Sequence, residues 1–421
     1  MLRRLICTPL ILAGLLFAGI SLPAFAQDAA LLARAKALHE KIITIDTHVD
    51  IPLDFSTDAY DMMKPGPRGQ QVHLPTMISG GYDAPFFIVY VGQGERNTAG
   101  YAKALGEAFI KFGAIHKLAE QLYPDKIGLA LTAADARRIR ASGRKVALIG
   151  FENGYPMGKD LRLLDQFYDY GARYFGPAHN GHNDLVDSAQ PNKSRNEPAA
   201  EWNGLSPLGK QVIKRLNELG IMVDVSHSSA KATLDMIALS ATPVIASHSG
   251  VKGVSDHARN LTDEALDGIK RTGGVVQIVA FDGYLRAVPA AKTEAVAALR
   301  KDLGIQPGEF GKMSPETERA YDAKMAEIDK KWPKANVKDL GDHIDYAVKR
   351  MGVDHVGISS DFNGGGGIDG FNNSGEAINV TVELMRRGYT DDQIGKIWGG
   401  NLLRVMEKAE QYAAGLKKAA K

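Results

Sequence analysis

Eight apolar runs, at 42–50, 85–92, 145–152, 171–178, 220–227, 242–248, 273–281 and 354–361, recur along this chain and leave few folds open to it. They are rich in Val, Ile, Leu and Phe with little polar alternation, which marks strands buried on both faces of a parallel sheet. Helical patterns lie between most of them, clearest at 100–122, 206–219, 262–272 and 339–351, with apolar residues at three- and four-residue spacing. Ser206-Pro207 and Thr262-Asp-Glu264 read as helix starts, and Gly220 reads as a stop after Leu219. Strand–helix alternation repeated eight times predicts an α/β fold of the (β/α)8 TIM-barrel type. The competing open, doubly wound sheet would place a Gly-rich phosphate turn after its first strand. His48-Val-Asp50 stands there instead.

Two excursions depart from a minimal barrel. Residues 51–83, with Pro52, Pro65-Gly66-Pro67 and Gly80-Gly81, predict a long loop after the first strand on the ligand side. The connection from Phe281 to Asp354 is longer than one helix needs, an insertion between strands seven and eight over 282–353. Its charged amphipathic stretch, Pro315 to Lys334, reads either as a lid or as a solvated helix. Residues 27–421 otherwise form one domain, with a Lys-rich, solvated tail after Gly415.

Residues 1–26 read as a secretory signal: Arg3 and Arg4, a mostly apolar stretch from Leu5 to Leu22, then the small-residue site Ala24-Phe-Ala26. The only cysteine, Cys7, lies within it, so the mature chain forms no disulfide. Loss of Arg3 and Arg4 from the 51 basic residues leaves a number equal to the 49 acidic ones. A neutral chain without a basic stripe is not built for nucleic acid or anionic lipid. The expectation is an exported protein of a bacterial periplasm, without a membrane span in its mature form.

Several runs end on side chains that bind metals. His48 and Asp50 lie two apart on a strand and so share one face. Glu152 closes the third run after Ile149-Gly-Phe151, where a carboxylate is costly without a cation or donor. His227 and His248 close the fifth and sixth runs, each flanked by serines. Singly, each reads as well as a satisfied core residue; together they describe a ligand set. Five ligands exceed what one tetrahedral zinc with an open position takes. They suit two ions ~3.5–4 Å apart with Glu152 between them. His48 and Asp50 would serve one ion, and His227 and His248 the other. Zinc fits these donors, and cobalt or manganese would also be accepted.

Asp361 closes the eighth run and reads either as an acid/base at the mouth or as a cap of the Gly-rich turn that follows. His179, in Gly176-Pro-Ala-His179, is placed to donate to a developing oxyanion. His182 and Asp184 are alternative ligands, though their loop favours a rim role. Arg259 is either a carboxylate clamp or a surface residue. His39, His73, His116, His257 and His343 read as structural or exposed.

With these pieces in order, the chain resembles the membrane (renal) dipeptidase family of zinc enzymes with a TIM-barrel fold. The matching segments are Asp46-Thr-His48-Val-Asp50-Ile-Pro52, Gly150-Phe-Glu152-Asn-Gly154, Gly171-Ala-Arg-Tyr174, Val223-Asp-Val-Ser-His227, Ser247-His248-Ser249, Ala258-Arg259-Asn260, Val356-Gly-Ile-Ser-Ser-Asp361-Phe362 and Gly400-Asn401-Leu-Leu-Arg404-Val. They span about 46–406. The resemblance implies two zincs bridged by Glu152, Asp361 as acid/base, His179 as carbonyl donor and Arg259 as carboxylate clamp assisted by Tyr284. It implies dipeptide substrates, L,L and possibly L,D, and a homodimer as in many relatives. Thr47, Val49 and Asn363 depart from the family's usual residues without removing a ligand.

The reaction expected is hydrolysis of a dipeptide by a zinc-bridging hydroxide, with Asp361 passing its proton to the leaving nitrogen. One alternative is another binuclear amidohydrolase acting on N-acyl amino acids or cyclic amides. Those enzymes commonly carry H-x-H on strand one and a carboxylated Lys, and the third and fourth runs here end in Glu152 and His179. A different class, a non-catalytic periplasmic binder of zinc or peptides, needs no proton shuttle.

Overall fold

The computed structural model describes residues 24–64, 70–305 and 313–419. The n-region and apolar stretch of the expected signal, the Pro65-Gly66-Pro67 segment and 306–312 of the insertion lie outside the described residues. Every apolar run contains a strand: β1 (Ile45–Asp50), β2 (Ala84–Tyr90), then, after a short β3 (Ile127–Leu129), β4 (Lys145–Glu152), β5 (Ala172–Gly176), β6 (Met222–Val223), β7 (Ile245–Ser249), β8 (Val275–Val279) and β9 (Val356–Ser359). The sequence gives little sign of β3, whose Ile-Gly-Leu is too short for a periodicity. It pairs with the start of β4 outside the ring of staves.

All strand pairs are parallel. One sheet runs β1-β2-β4-β5-β6 and the other β7-β8-β9. Parallel bridges Asp224–Ile245 and Val49–Phe362 connect the two at both junctions. There the Val225 amide donates to the Ile245 carbonyl and the Asp50 amide to the Phe362 carbonyl, each at 2.9 Å. The eight staves therefore follow one another in chain order, the arrangement expected of a (β/α)8 barrel.

Alternate side chains along β2 and β4 enter different cores, which is why these runs show no polar alternation. Phe86 and Ile88 of β2 pack with Val146 and Leu148 of β4, Tyr174, Met222 and Val275. Phe87 and Val89 belong instead to the layer shared with the helices, with Phe112, Phe151 and Phe167. The parity that sends Val146 and Leu148 inward sends Glu152 inward as well.

The expected helices form at Thr98–Lys117, Pro207–Leu219, Asp263–Thr272 and Val337–Met351. Ser206 and Thr262 accept from the amides of Gly209 and Ala265, and Gly220 takes the left-handed conformation that ends its helix. The tail is helical through Ala419, with exposed residues after Gly415. No helix among the described residues is long and apolar enough to cross a membrane.

The insertion is helical at Asp282–Leu285, Ala290–Asp302 and Pro315–Lys331, and the latter two helices meet at a small core of Leu299, Ile305 and Tyr321. Lys292 is buried between Asp282 at 3.1 Å and Asp329 at 3.0 Å. The amphipathic stretch is thus packed rather than free. The loop after β1 folds onto the Gly-rich turn after β9, where Gln71 Nε2 donates to the carbonyls of Gly366 and Asn372 at 2.9 Å.

Gly150 of β4 is required by a close approach: a Cβ there would stand 2.3 Å from Cζ of Tyr174. Gly150→Ala is expected to displace that ring and destabilise the fold by about 1–3 kcal/mol, the usual cost of overpacking a core. Denaturant unfolding measures it, and an unchanged midpoint would show that the ring moves freely.

Candidate metal centre

Glu152 stands at the inner end of β4 with its two carboxylate oxygens facing different partners. Oε1 is 3.1 Å from Nε2 of His227 and 3.4 Å from Nε2 of His248. Oε2 is 3.6 Å from Nε2 of His48. His48 Nε2 lies 3.4 Å from Asp50 Oδ2 and 3.9 Å from Asp361 Oδ1. The five expected ligands thus converge, with Asp361 beside them. His179 joins from the loop after β5, its ring 4.3 Å from that of His227. Overlapping groups of ligand-capable atoms result: His48, Glu152 and His248; Glu152, His179 and His227; His48, Asp50 and Asp361.

Hydrogen bonds behind His48 and His248 fix which nitrogen of each faces inward. Tyr174 Oη donates to the Thr47 carbonyl at 2.9 Å, so it accepts from His48 Nδ1 at 3.1 Å and leaves Nε2 with its lone pair. Ser247 Oγ donates to Asp224 Oδ2 at 2.6 Å and accepts from His248 Nδ1 at 2.8 Å. Asp224 is itself held by the amides of Ser226 and Ser247. Such outer partners orient metal-binding histidines and raise their basicity. Nε2 of His227 and Nε2 of His248 are 2.9 Å apart, and the buried Glu152 Oε1 has no hydrogen-bond partner. The His248 lone pair and the unsatisfied Glu152 oxygen face the same space, where a cation would satisfy both, and Nδ1 of His227 is without a partner as well. The donor set fits a metal.

The electrostatics agree. Burial pushes the Glu152 carboxyl up to about 8, with His48 opposing and Asp50 and Asp361 adding to the rise. Burial likewise raises Asp361 to about 7. It opposes protonation of His48, yet Glu152, Asp50 and Asp361 outweigh it and lift that imidazole to about 10. Burial holds His227 and His248 well below the usual histidine range. Burial and the charge of Arg259 lower His179 to about 3, so its ring is neutral at neutral pH. One imidazole takes the positive charge that the carboxylates demand. A divalent ion supplies that charge and displaces the proton.

Two expected strand ends lie beyond their strands. β6 ends at Val223, so His227 lies beyond the strand, in a turn with φ of 65°. Asp361 likewise lies past the end of β9, with φ of 57°. Both left-handed turns swing a side chain back over the barrel mouth, which a continued strand would not do. Arg259 is not a surface residue: it is 3 % exposed, and its Nη2 donates to the His248 carbonyl at 3.1 Å. Its guanidinium carbon is 5.3 Å from the ring centre of Tyr284, which is stacked between Phe281 and His257.

His182 is fully buried rather than at the rim. Its Nδ1 accepts from the Ser188 amide and its Nε2 donates to the Pro198 carbonyl, so neither nitrogen is free for a metal. Asp184 does sit at the rim, tied to Tyr101 at 2.7 Å and Arg96 at 3.2 Å. His39 and His343 are buried and hydrogen-bonded, as structural residues are. The roles of Tyr174, Ser247 and Asp224 escape the sequence reading, although all three stand within the quoted motifs. Tyr90 escapes it too; its hydroxyl is 3.3 Å from His179 Nδ1.

A cavity of about 450 Å³ opens at the other end of the barrel, beside His39, Asp83, Arg140 and Lys145. Asp83 is neutralised there by Arg140 at 3.2 Å and Lys145 at 2.9 Å. The reactive groups are all at the C-terminal ends of the staves, where barrel enzymes keep their chemistry.

Known proteins align with this architecture over most of its length. The solved structure of the probable dipeptidase PvdM from Pseudomonas aeruginosa is 35 % identical, with a TM-score of 0.81 over 91 % of this chain and 100 % of that one. Dipeptidase tcpJ of Claviceps purpurea is 30 % identical over 351 residues, 82 % of this chain and 71 % of that protein. A metallo peptidase from Rhodobacter sphaeroides, at 22 % identity and a TM-score of 0.65 over 87 % of this chain and 99 % of that one, shares the fold. The expectation of a metal-dependent hydrolase, rather than a non-catalytic binder, accords with these relatives. Residues 32–420 match the family model of membrane dipeptidases, Peptidase family M19, and this chain belongs to that family.

Proposed function

We propose that this chain is a two-zinc dipeptidase, with Glu152 bridging, His48 and Asp50 on one ion, and His227 and His248 on the other. The observation that carries this reading is the division of Glu152, one oxygen toward His48 and the other toward His227 and His248. Cobalt or manganese would suit the same donors. When bound, the metal pair supplies water activation near neutral pH and polarisation of the scissile carbonyl.

The chain's own residues do the rest. Arg259, steadied by Tyr284, binds the C-terminal carboxylate of the substrate. Asp50 or Asp361, with the metal pair, would receive the free amine at the opposite end. Holding both ends selects two-residue substrates, since a longer peptide would have to displace one contact. His179, neutral and beside His227, donates to the carbonyl oxygen as charge develops on it. Asp361, beside His48 at the C-terminal end of the staves, takes a proton from the attacking water and returns it to the leaving nitrogen. Export belongs to the same reading: residues 1–26 are removed after Ala26, and the mature enzyme works in a bacterial periplasm on L,L and L,D dipeptides.

The reading is tested by zinc analysis together with turnover of Ala-Ala dipeptides of both configurations. Chelation is expected to abolish turnover and added zinc to restore it. Asp361→Asn is expected to lower kcat by about 10²–10⁴-fold while the bound metal is retained; unchanged turnover would remove the aspartate from the mechanism. Tyr174→Phe deletes the acceptor behind His48 and is expected to weaken metal binding about 10–100-fold. A competition titration with a chromogenic chelator reads that loss. Parental affinity in the variant would mean that Tyr174 does not orient the imidazole.

A further inference from the structure

A second cavity, of about 260 Å³, is lined by Ser228 and Ser249, which follow His227 and His248 in the chain, and lies between the N-terminal ends of the helices Ala230–Leu239 and Asp263–Thr272. Its wall includes Arg259 and Lys252 and contains no carboxylate. Lys252 pairs at 2.9 Å with Asp256, which is well exposed. Ser229 and Thr262, the caps of the two helices, also line the cavity, so two helix N-termini add positive potential to that of the cations.

Three residues of the wall also carry polar atoms that lack a partner. Arg259 Nε, Ser228 Oγ and Asn260 Oδ1 are buried with no hydrogen bond. Arg259 is 3 % exposed and Ser228 7 %. The first two of these atoms are donors in want of an acceptor, and buried donors rarely go without one. A positive, carboxylate-free space with two idle donors is built to take an anion. Arg259 connects this space to the reaction centre, since its Nη2 binds the carbonyl of His248.

We propose that this cavity receives an acidic side chain at the C-terminal position of the substrate, making dipeptides that end in Glu or Asp the preferred class. The inference rests on the dipeptidase reading, in which Arg259 holds the α-carboxylate of that same residue. The side chain leaves the same Cα and enters the adjoining space, where Arg259 Nε, Ser228 Oγ and Lys252 meet its carboxylate. Ala189, Ala230 and Ala258 keep the space open. A Lys or Arg side chain would meet the Arg259 cation there and no carboxylate in the wall.

The test uses the full metal-loaded chain with Ala-Glu, the isosteric Ala-Gln, and Ala-Ala. Calorimetry with free L-glutamate, L-glutamine and inorganic phosphate provides a readout without turnover. kcat/KM for Ala-Glu is expected to exceed that for Ala-Gln about tenfold, and L-glutamate to bind about tenfold tighter than L-glutamine, as one charge-assisted hydrogen bond gives. Ser228→Ala and Lys252→Met are each expected to bring both ratios toward one. If Ala-Ala is cleaved and both ratios equal one in the parent chain, the acidic pocket is refuted while the dipeptidase reading stands. If no dipeptide is cleaved but L-glutamate keeps its advantage, the dipeptidase reading fails and the acidic pocket stands. Phosphate binding as tightly as L-glutamate would mark a general anion site and overturn the assignment to a side chain.

Discussion

Asp50, Glu152 and Asp361 are gathered with His48, His227 and His248 into one buried space, and they do not tolerate one another without added positive charge. An ionised carboxylate away from water is costly unless a cation or several donors meet it. Here each has too few donors, and Glu152 Oε1 has none. The barrel can hold such a group because each stave is fixed by parallel pairing along its flanks and by apolar packing on both faces. The apolar core thus supplies the rigidity that keeps the polar cluster from relaxing. The cluster relaxes only by taking up protons, as His48 does, or by taking up metal.

The staves were legible because burial on both faces leaves a continuous apolar run, and the ligands because they terminate such runs. Glu152 is the clearest case: its parity with Val146 and Leu148 along β4 places it inside. The turns that carry His227 and Asp361 were not legible. Left-handed backbone at a histidine or an aspartate has no local sequence signature, and both positions read as strand ends. The support from Tyr174 was hidden for a different reason. Its hydroxyl reaches His48 across the barrel from a position 126 residues away, and no periodicity reports such a contact.

Arg259 marks a boundary between the two kinds of legibility. Its position after β7 offered a clamp or a surface residue with equal economy, and its burial decides between them. A guanidinium that is 3 % exposed and bonded to the carbonyl of His248 belongs to the metal centre's immediate surroundings. Its charge reaches the centre, lowering His179 and opposing the rise at Glu152 and Asp361. Burial, reinforced by this cation, keeps His179 neutral.

The departure at Asn363 has a local explanation in hydrogen bonding. Its Nδ2 donates to the Asp50 carbonyl at 3.1 Å, and its Oδ1 accepts from the Gln71 amide at 3.1 Å. An amide both donates and accepts, whereas an ionised aspartate only accepts and would leave the Asp50 carbonyl without that donor. An aspartate would also bring another negative charge beside Asp50 and Asp361. The following residue, Gly364, has no such latitude: a Cβ there would stand 2.2 Å from Asp50 Oδ2 and 2.5 Å from Asp361 Oδ1. Asn363 therefore ties the backbone of β1 to the loop around Gln71, and Gly364 lets that backbone pass close to two carboxylates. The loop after β1 and the turn after β9 thus form one wall of the metal centre, held together by the amide of Asn363.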